Sequence, residues 1–239
     1  MGKIIFITGT DTGVGKTVMT ALLLHHLRQA GCNALAMKPF CSGSRADVRL
    51  LHGLQKGLLT LDEINPFFFK KPVAPAAAGG RRKTIRLDTV LRKIRVVGPR
   101  CDVLLVEGSG GVLVPLGKNY TVADLISKLR CSTVIVSRNR LGTINHTMLT
   151  IKALQAVGIK RLNVVLVEDK KPDFSAHSNA KMIKKMAPWA PIFMIPNLGL
   201  GASKGAVIKI NAIFLKITLA RILKDDILHS FFRIAGGIN

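Results

Sequence analysis

Acidic side chains are scarce: the 239 residues carry 13 Asp and Glu against 36 Lys and Arg, a formal charge of +23 at pH 7. Aromatics are thin as well, at 5% with one Trp and one Tyr. A single-stranded nucleic-acid binder needs stacking platforms beside its cations, and this chain has few. Its basic residues are also spread along the sequence, so the surplus reads as a solvated surface and no nucleic-acid partner is expected. The four cysteines, Cys32, Cys41, Cys101 and Cys131, stand far apart, with no C-x-x-C pair and no His/Cys cluster. That spacing excludes a disulfide framework and a zinc motif and predicts a reducing, cytoplasmic setting. No uncharged apolar run is long enough to span a bilayer; the most hydrophobic tract, Val207 to Leu223, is broken by Lys209, Lys216 and Arg221, so no membrane partner is expected. A secretory leader is not expected either, because the first apolar run leads straight into a glycine loop.

That loop is the strongest signal present. Lys3-Ile4-Ile5-Phe6-Ile7-Thr8 reads as a buried strand, and Gly9-Thr10-Asp11-Thr12-Gly13-Val14-Gly15-Lys16-Thr17 follows it directly. Glycines let backbone N–H groups converge on a phosphate, a lysine reaches the β/γ-phosphates, and a Thr hydroxyl ligates Mg²⁺. The helix that opens at this point adds the positive end of its dipole. Compared with G-x-x-x-x-G-K-[ST], Thr10 stands where the first Gly would be and Gly9 comes one residue early. The backbone from Gly13 through Val14, Gly15, Lys16 and Thr17 to Val18 is therefore the candidate cradle for a nucleoside triphosphate.

Strand-like and helix-like runs alternate along the rest of the chain. Apolar runs at 4–8, 34–38, 103–107, 133–137, 163–167 and 192–195 have little polar alternation, as in strands covered on both faces. Helical patterns fall at 17–29, 87–96, 122–129, 144–157 and 179–186, with a further amphipathic helix at 208–223. Thr121-x-x-Asp124 resembles a capping box. These features predict an α/β fold: one doubly wound, mostly parallel sheet of the P-loop NTPase type over 1–225, then a tail at 226–239. The segment 67–86 reads as a surface loop, though Pro72-Val73-Ala74-Pro75 would equally suit a rigid substrate wall.

Three further stretches lie at predicted strand ends, where open α/β sheets bind ligands. Lys38-Pro39-Phe40-Cys41-Ser42-Gly43-Ser44 places a lysine at the end of a buried strand, which is costly unless it meets an anion. Asp47 follows shortly after. Val106-Glu107-Gly108-Ser109-Gly110-Gly111 puts a carboxylate where a P-loop protein holds Mg²⁺, with glycines that allow a ligand close. Arg140-Leu141-Gly142-Thr143-Ile144-Asn145-His146 opens a helix whose free N–H groups suit an anion. His146 itself is assigned no chemistry.

Taken together, GTDTGVGKT at 9–17, KPFCSGS at 38–44, VEGSGG at 106–111 and LGTINHTMLT at 141–150 resemble the dethiobiotin synthetase family, from the first strand to about Gly201. The family's phosphate loop also carries its first Gly one residue early. The resemblance implies an ATP- and Mg²⁺-dependent ligase of biotin biosynthesis acting on 7,8-diaminononanoate and CO₂. It implies that Lys16 and Lys38 neutralise the carbamate and γ-phosphate, and that Thr17, Asp47 and Glu107 hold Mg²⁺. Ser42 would touch the diamine or its carbamate. Gly108, Ser109 and Gly110, together with Glu168, Asp169, Pro196, Asn197 and Leu198, fall at nucleotide-contacting positions. The substrate carboxylate would meet Gly142, Thr143, Ile144 and Asn145 of the second subunit of a homodimer.

The chain departs from the family pattern where Glu168-Asp169 replace an Asn that reads the adenine edge; a carboxylate accepts but supplies no donor. Ser203 and neighbouring glycines also stand where an acid is common. A rival class, the regulatory or partitioning ATPase that cycles as a dimer on DNA or membrane, suits the basic charge. Asp11, where that class carries a lysine, and the KPFCSGS element both oppose it.

Overall fold

A computed structural model describes residues 2–78, 84–198 and 218–223. The chain opens with β1 (Lys3–Gly9), buried from Ile4 onward, followed by the glycine loop and α1 (Lys16–Gln29). After β2 (Ala34–Met37) come β3 (Phe40–Ser42), α2 (Ala46–Leu54), the single turn α3 (Leu61–Ile64) and β4 (Phe67–Phe69). The short α4 (Pro75–Ala78) and α5 (Leu87–Val97) lead to β5 (Val103–Gly111) and a hairpin of β6 (Pro115–Gly117) with β7 (Tyr120–Thr121). Next come α6 (Val122–Leu129), β8 (Ser132–Asn139), α7 (Thr143–Ala156), β9 (Leu162–Glu168), α8 (Ala176–Met186) and β10 (Ile192–Ile195).

Six of these strands form one sheet in the order β10-β9-β8-β1-β5-β2, and every pairing in it is parallel. β1 lies between β5 and β8, with the chain winding outward on either side. Such an order leaves a crevice beyond the carboxyl end of β1, where ligands bind in open α/β sheets. The expected doubly wound architecture is present. Helices cover the sheet through apolar faces; α5 buries Val90, Leu91, Ile94 and Val97 at helical spacing. α6 begins with the expected capping box: Asp124 N–H donates to Thr121 Oγ1, and the Asp124 carboxylate accepts from Thr121 N–H at 2.7 Å.

Several boundaries differ from the sequence expectation for identifiable reasons. β2 stops before Lys38, whose N–H donates to Ile64 O at 2.9 Å instead of to the sheet. Being an edge strand, β2 is also covered by a side chain: Ala36 N–H donates to Gln55 Oε1 at 2.8 Å, and Gln55 Nε2 returns a bond to Ala36 O. β5 continues past Glu107 to Gly111, which lies opposite Gly9 of β1. The stretch read as a plain loop from 67 begins as a strand: Phe67, Phe68 and Phe69 pair with Phe40, Cys41 and Ser42. Residues 79–83 of that stretch lie outside the described residues. So do 208–217 of the expected C-terminal helix, Ser203 and the tail; 218–223 are helical. No helix among the described residues is long and apolar enough to cross a membrane.

Candidate active site

The phosphate loop is held by close approach as much as by sequence. A Cβ on Gly9 would meet Val14 Cγ2 at 2.7 Å, so a side chain there would force the loop to shift. Gly15 adopts φ 103°, a conformation that L side chains rarely take, and α1 springs directly from it. Lys16 Nζ reaches back along the loop and donates to Asp11 O at 2.7 Å. Burial pushes the Lys16 ammonium down to about 8, with Glu107 opposing that shift and Lys38 adding to it. Val14 is packed in the core beneath the loop.

Beside the loop, four side chains from three elements and one loop converge. Lys38, just past β2, pairs with Glu107 Oε1 of β5 at 2.8 Å and with the Asp47 carboxylate of α2. Its Nζ also lies 3.3 Å from Thr17 Oγ1, and that hydroxyl donates to Glu107 Oε1 at 2.7 Å. Burial alone would push the Lys38 ammonium down, but the Glu107 and Asp47 carboxylates outweigh it and hold it well above the ordinary lysine value. Burial raises the Asp47 carboxyl, and the Lys38 charge and hydrogen bond overturn that and lower it. The Asp47 carboxyl is therefore held ready to carry negative charge.

Two buried oxygens at this place have no hydrogen-bond partner among the described residues: Glu107 Oε2 and Ser42 Oγ. Such an atom is costly unless something else meets it. An open carboxylate oxygen beside a Thr hydroxyl and a second carboxylate is the hard oxygen donor set that Mg²⁺ takes. No group of three or more His, Cys, Asp or Glu side chains able to hold a metal occurs among the described residues. A Mg²⁺ here would thus draw further oxygens from nucleotide phosphates, as is usual for that ion. The residues fit the group.

These atoms line one cleft of about 670 Å³. Of the candidates from sequence, it gathers Gly13, Gly15, Lys16, Thr17 and Val18 from the phosphate loop and α1, Lys38, Ser42 and Asp47, and Glu107, Gly108, Ser109 and Gly110 from β5. Pro72, Val73, Ala74 and Pro75 form part of its wall. The remaining candidates lie elsewhere. Gly142, Thr143, Ile144 and Asn145 start α7 beyond β8, on the other side of β1, and do not line the cleft. Glu168 ends β9, and Asp169 lies beside Arg138 with Oδ1 3.7 Å from Nη1. Pro196, Asn197 and Leu198 follow β10 at the far edge of the sheet.

Other contributors, apart from Thr143, carried no sequence signal. Asn65 is fully buried, and its amide donates to Lys38 O at 3.0 Å and Pro39 O at 3.2 Å, shaping the turn that presents Lys38. Arg45 donates to Asn65 Oδ1 at 3.2 Å and stacks 4.8 Å from the Phe68 ring centroid. Thr10, Ser137 and Thr143 join their hydroxyls in a chain, at 3.0 and 2.7 Å, from the phosphate loop to the α7 start. Apart from the Ser137–Thr143 bond, these contacts span residues distant in sequence, so spacing alone could not reveal them.

A phosphate loop at the switch point of a parallel sheet, with a lysine and two carboxylates facing it, defines a P-loop α/β nucleotide-binding protein. The family model described as an AAA domain matches residues 3–201. Solved structures agree on the fold alone: a ParA family ATPase from Chlorobium tepidum TLS aligns over 100% of both chains at 13% identity with TM-score 0.55. The MinC:MinD cell division protein complex of Aquifex aeolicus aligns over 94% of this chain and 97% of that one at 17% identity, with TM-score 0.62. Sequence relatives are far nearer. The ATP-dependent dethiobiotin synthetase BioD of Bacillus subtilis (strain 168) is 37% identical over 201 residues, covering 81% of this chain and 87% of the relative. The protein of that name from Methanocaldococcus jannaschii is 39% identical over 167 residues, covering 68% and 78%. The chain belongs to the ATP-dependent dethiobiotin synthetase family.

Proposed function

We propose that this enzyme closes the ureido ring of dethiobiotin from 7,8-diaminononanoate, CO₂ and ATP. One substrate amine takes up CO₂ as a carbamate. A carbamate oxygen attacks the γ-phosphorus, breaking the bond to ADP and forming a carbamic–phosphoric anhydride. The second amine then attacks the carbamoyl carbon and expels inorganic phosphate. Phosphoryl transfer of this kind asks the protein for alignment and charge neutralisation more than for an acid–base residue.

The convergence of Lys38, Asp47, Glu107 and Thr17 on the phosphate loop carries this reading. Lys16 neutralises the β/γ-phosphates, and Lys38 neutralises the carbamate and the γ-phosphoryl group. The unpartnered Ser42 hydroxyl receives the carbamate or its amine. Thr17, Asp47 and Glu107 would hold Mg²⁺, which supplies charge neutralisation at the phosphate oxygens when bound. Glu168, at the end of β9, would meet the nucleoside. Gly142–Asn145 serve the other active site of a homodimer, where the free N–H groups of the α7 start meet the substrate carboxylate. That the α7 start does not line its own cleft, with Leu141 80% exposed beside it, supports the shared arrangement. Four buried cysteines, none of them in a disulfide, support work in the reducing cytoplasm.

The test is phosphate release from Mg-ATP with and without diaminononanoate and bicarbonate, with dethiobiotin followed in the same samples. Phosphate and dethiobiotin should appear together, and only when both co-substrates are supplied. ATP hydrolysis indifferent to the diamine but stimulated by DNA would overturn the assignment and favour a partitioning ATPase.

A further inference from the structure

Arg138 lies near the end of β8, across the phosphate loop from the Lys38 cluster, and has no part in the reaction described above. Its Nε and Nη2 both donate to the Gly13 carbonyl oxygen, at 3.1 and 2.8 Å. Its third nitrogen, Nη1, lies 3.7 Å from Asp169 Oδ1, just past β9. The planar guanidinium is thus anchored at two places: two donors grip one oxygen of the loop, and a carboxylate from the next strand holds the far end.

The bound atom matters. Gly13 has φ +74° and no side chain to pack, so its own chemistry leaves the following peptide free to turn. A Cβ at that position would find no neighbour nearer than Arg138 Nη2, at 4.0 Å. The carbonyl of Gly13 and the N–H of Val14 belong to one rigid trans peptide and point in opposite directions. Pinning the carbonyl toward β8 therefore directs the Val14 N–H to the side away from Arg138. The loop works by presenting its N–H groups to an anion, and a free peptide would turn a partly negative oxygen to the phosphates instead.

We propose that Arg138, held in place by Asp169, is a positioning residue for nucleotide binding that locks the Gly13–Val14 peptide in the orientation a triphosphate requires. The proposal rests on the reading of this loop as the ATP site and gives Asp169 a task other than touching the base. It concerns the loop and not the chemistry, so its mark is on nucleotide affinity. Arg138 stands a third exposed, at 36% of its side chain, so bulk charge is partly screened and the two-pronged grip is the larger part of its effect.

The experiment is calorimetric titration of the full chain with a non-hydrolysable ATP analogue and Mg²⁺, alongside steady-state kinetics. In Arg138→Ala the analogue should bind about tenfold more weakly, with KM for ATP rising in step, as for loss of a charge-assisted hydrogen bond. KM for the diamine and kcat at saturating ATP should stay within about twofold, which marks a loss of uniform binding. Arg138→Lys keeps the charge but not the fork and should behave like the alanine variant; Asp169→Asn should shift affinity the same way by less. If the alanine variant does not fold, the lysine and asparagine variants carry the test. Unchanged analogue affinity in folded variants would overturn the proposal, as would full recovery by lysine. A wild-type chain that binds no analogue would instead overturn the nucleotide reading itself, and this proposal with it.

Discussion

Lys38 and Glu107 leave separate strands of the sheet and meet as an ion pair, Nζ to Oε1 at 2.8 Å, where Glu107 is 1% exposed. Charges this deep are tolerated only when paired, and removing one partner strands the other. Lys38 also faces Asp47 and the Thr17 hydroxyl, so one ammonium balances two carboxylates at the mouth of the phosphate loop.

Replacing either lysine of the site should cut turnover sharply. Lys16→Ala and Lys38→Ala are each expected to lower kcat by at least about a hundredfold, since removing a preorganised charge from a developing oxyanion costs about 3–4 kcal/mol. Circular dichroism should show the fold retained, while Lys38→Ala also melts lower because Glu107 and Asp47 lose their partner. Dethiobiotin formation near the wild-type rate in the Lys38 variant would remove its assigned role.

The carboxylates should show themselves in the metal requirement. Asp47→Asn and Glu107→Gln are expected to raise the Mg²⁺ concentration for half-maximal activity by about tenfold or more, as when a member of a metal's shell is altered. A Mg²⁺ titration identical to that of the wild type in either folded variant would take that residue out of the proposed set.

Base preference should be shallow. Glu168 accepts hydrogen bonds but supplies no donor, and Asp169 is turned to Arg138. Adenine and cytosine both present an exocyclic amine, so ATP and CTP should differ by about tenfold at most, the worth of one neutral hydrogen bond at roughly 0.5–1.5 kcal/mol. Comparison of kcat/KM under the same Mg²⁺ checks this. A preference for ATP above about a hundredfold would mean that other residues read the base.

Association should be obligatory for activity. Light scattering at assay concentration is expected to give twice the chain mass, because the proposed carboxylate-binding residues at the α7 start do not line the cleft of their own chain. An active monomer would dispose of the shared site.

Local chemistry wrote much of this molecule in plain view. The phosphate loop follows from glycines at 9, 13 and 15 with Lys16 and Thr17, and the parallel sheet from apolar runs that never alternate. Thr121 and Asp124 announce a helix start because a capping box is complete within four residues. The segment from 67 was harder: three phenylalanines beside a Pro/Ala-rich stretch look like a loop until β3 lies alongside them. Nothing in the spacing around Arg138 or Asn65 marks either residue, because their partners Gly13, Asp169, Lys38 and Pro39 lie far off in the chain.

The sequence alone therefore determined the repertoire: a phosphate cradle, an order of strands and helices, and a short stock of carboxylates and lysines at strand ends. It could do so because each of those signals is carried by residues adjacent in the chain or spaced by one strand or helix period. Only the tertiary structure decided which groups act together. It set Lys38 against Glu107 and Asp47, pointed Asp169 at Arg138 and left the α7 start outside the lining of the cleft. The physical reason is that an ion pair or a hydrogen bond depends on separations of a few ångströms, and these arise from strand order and crossover, which no local pattern encodes.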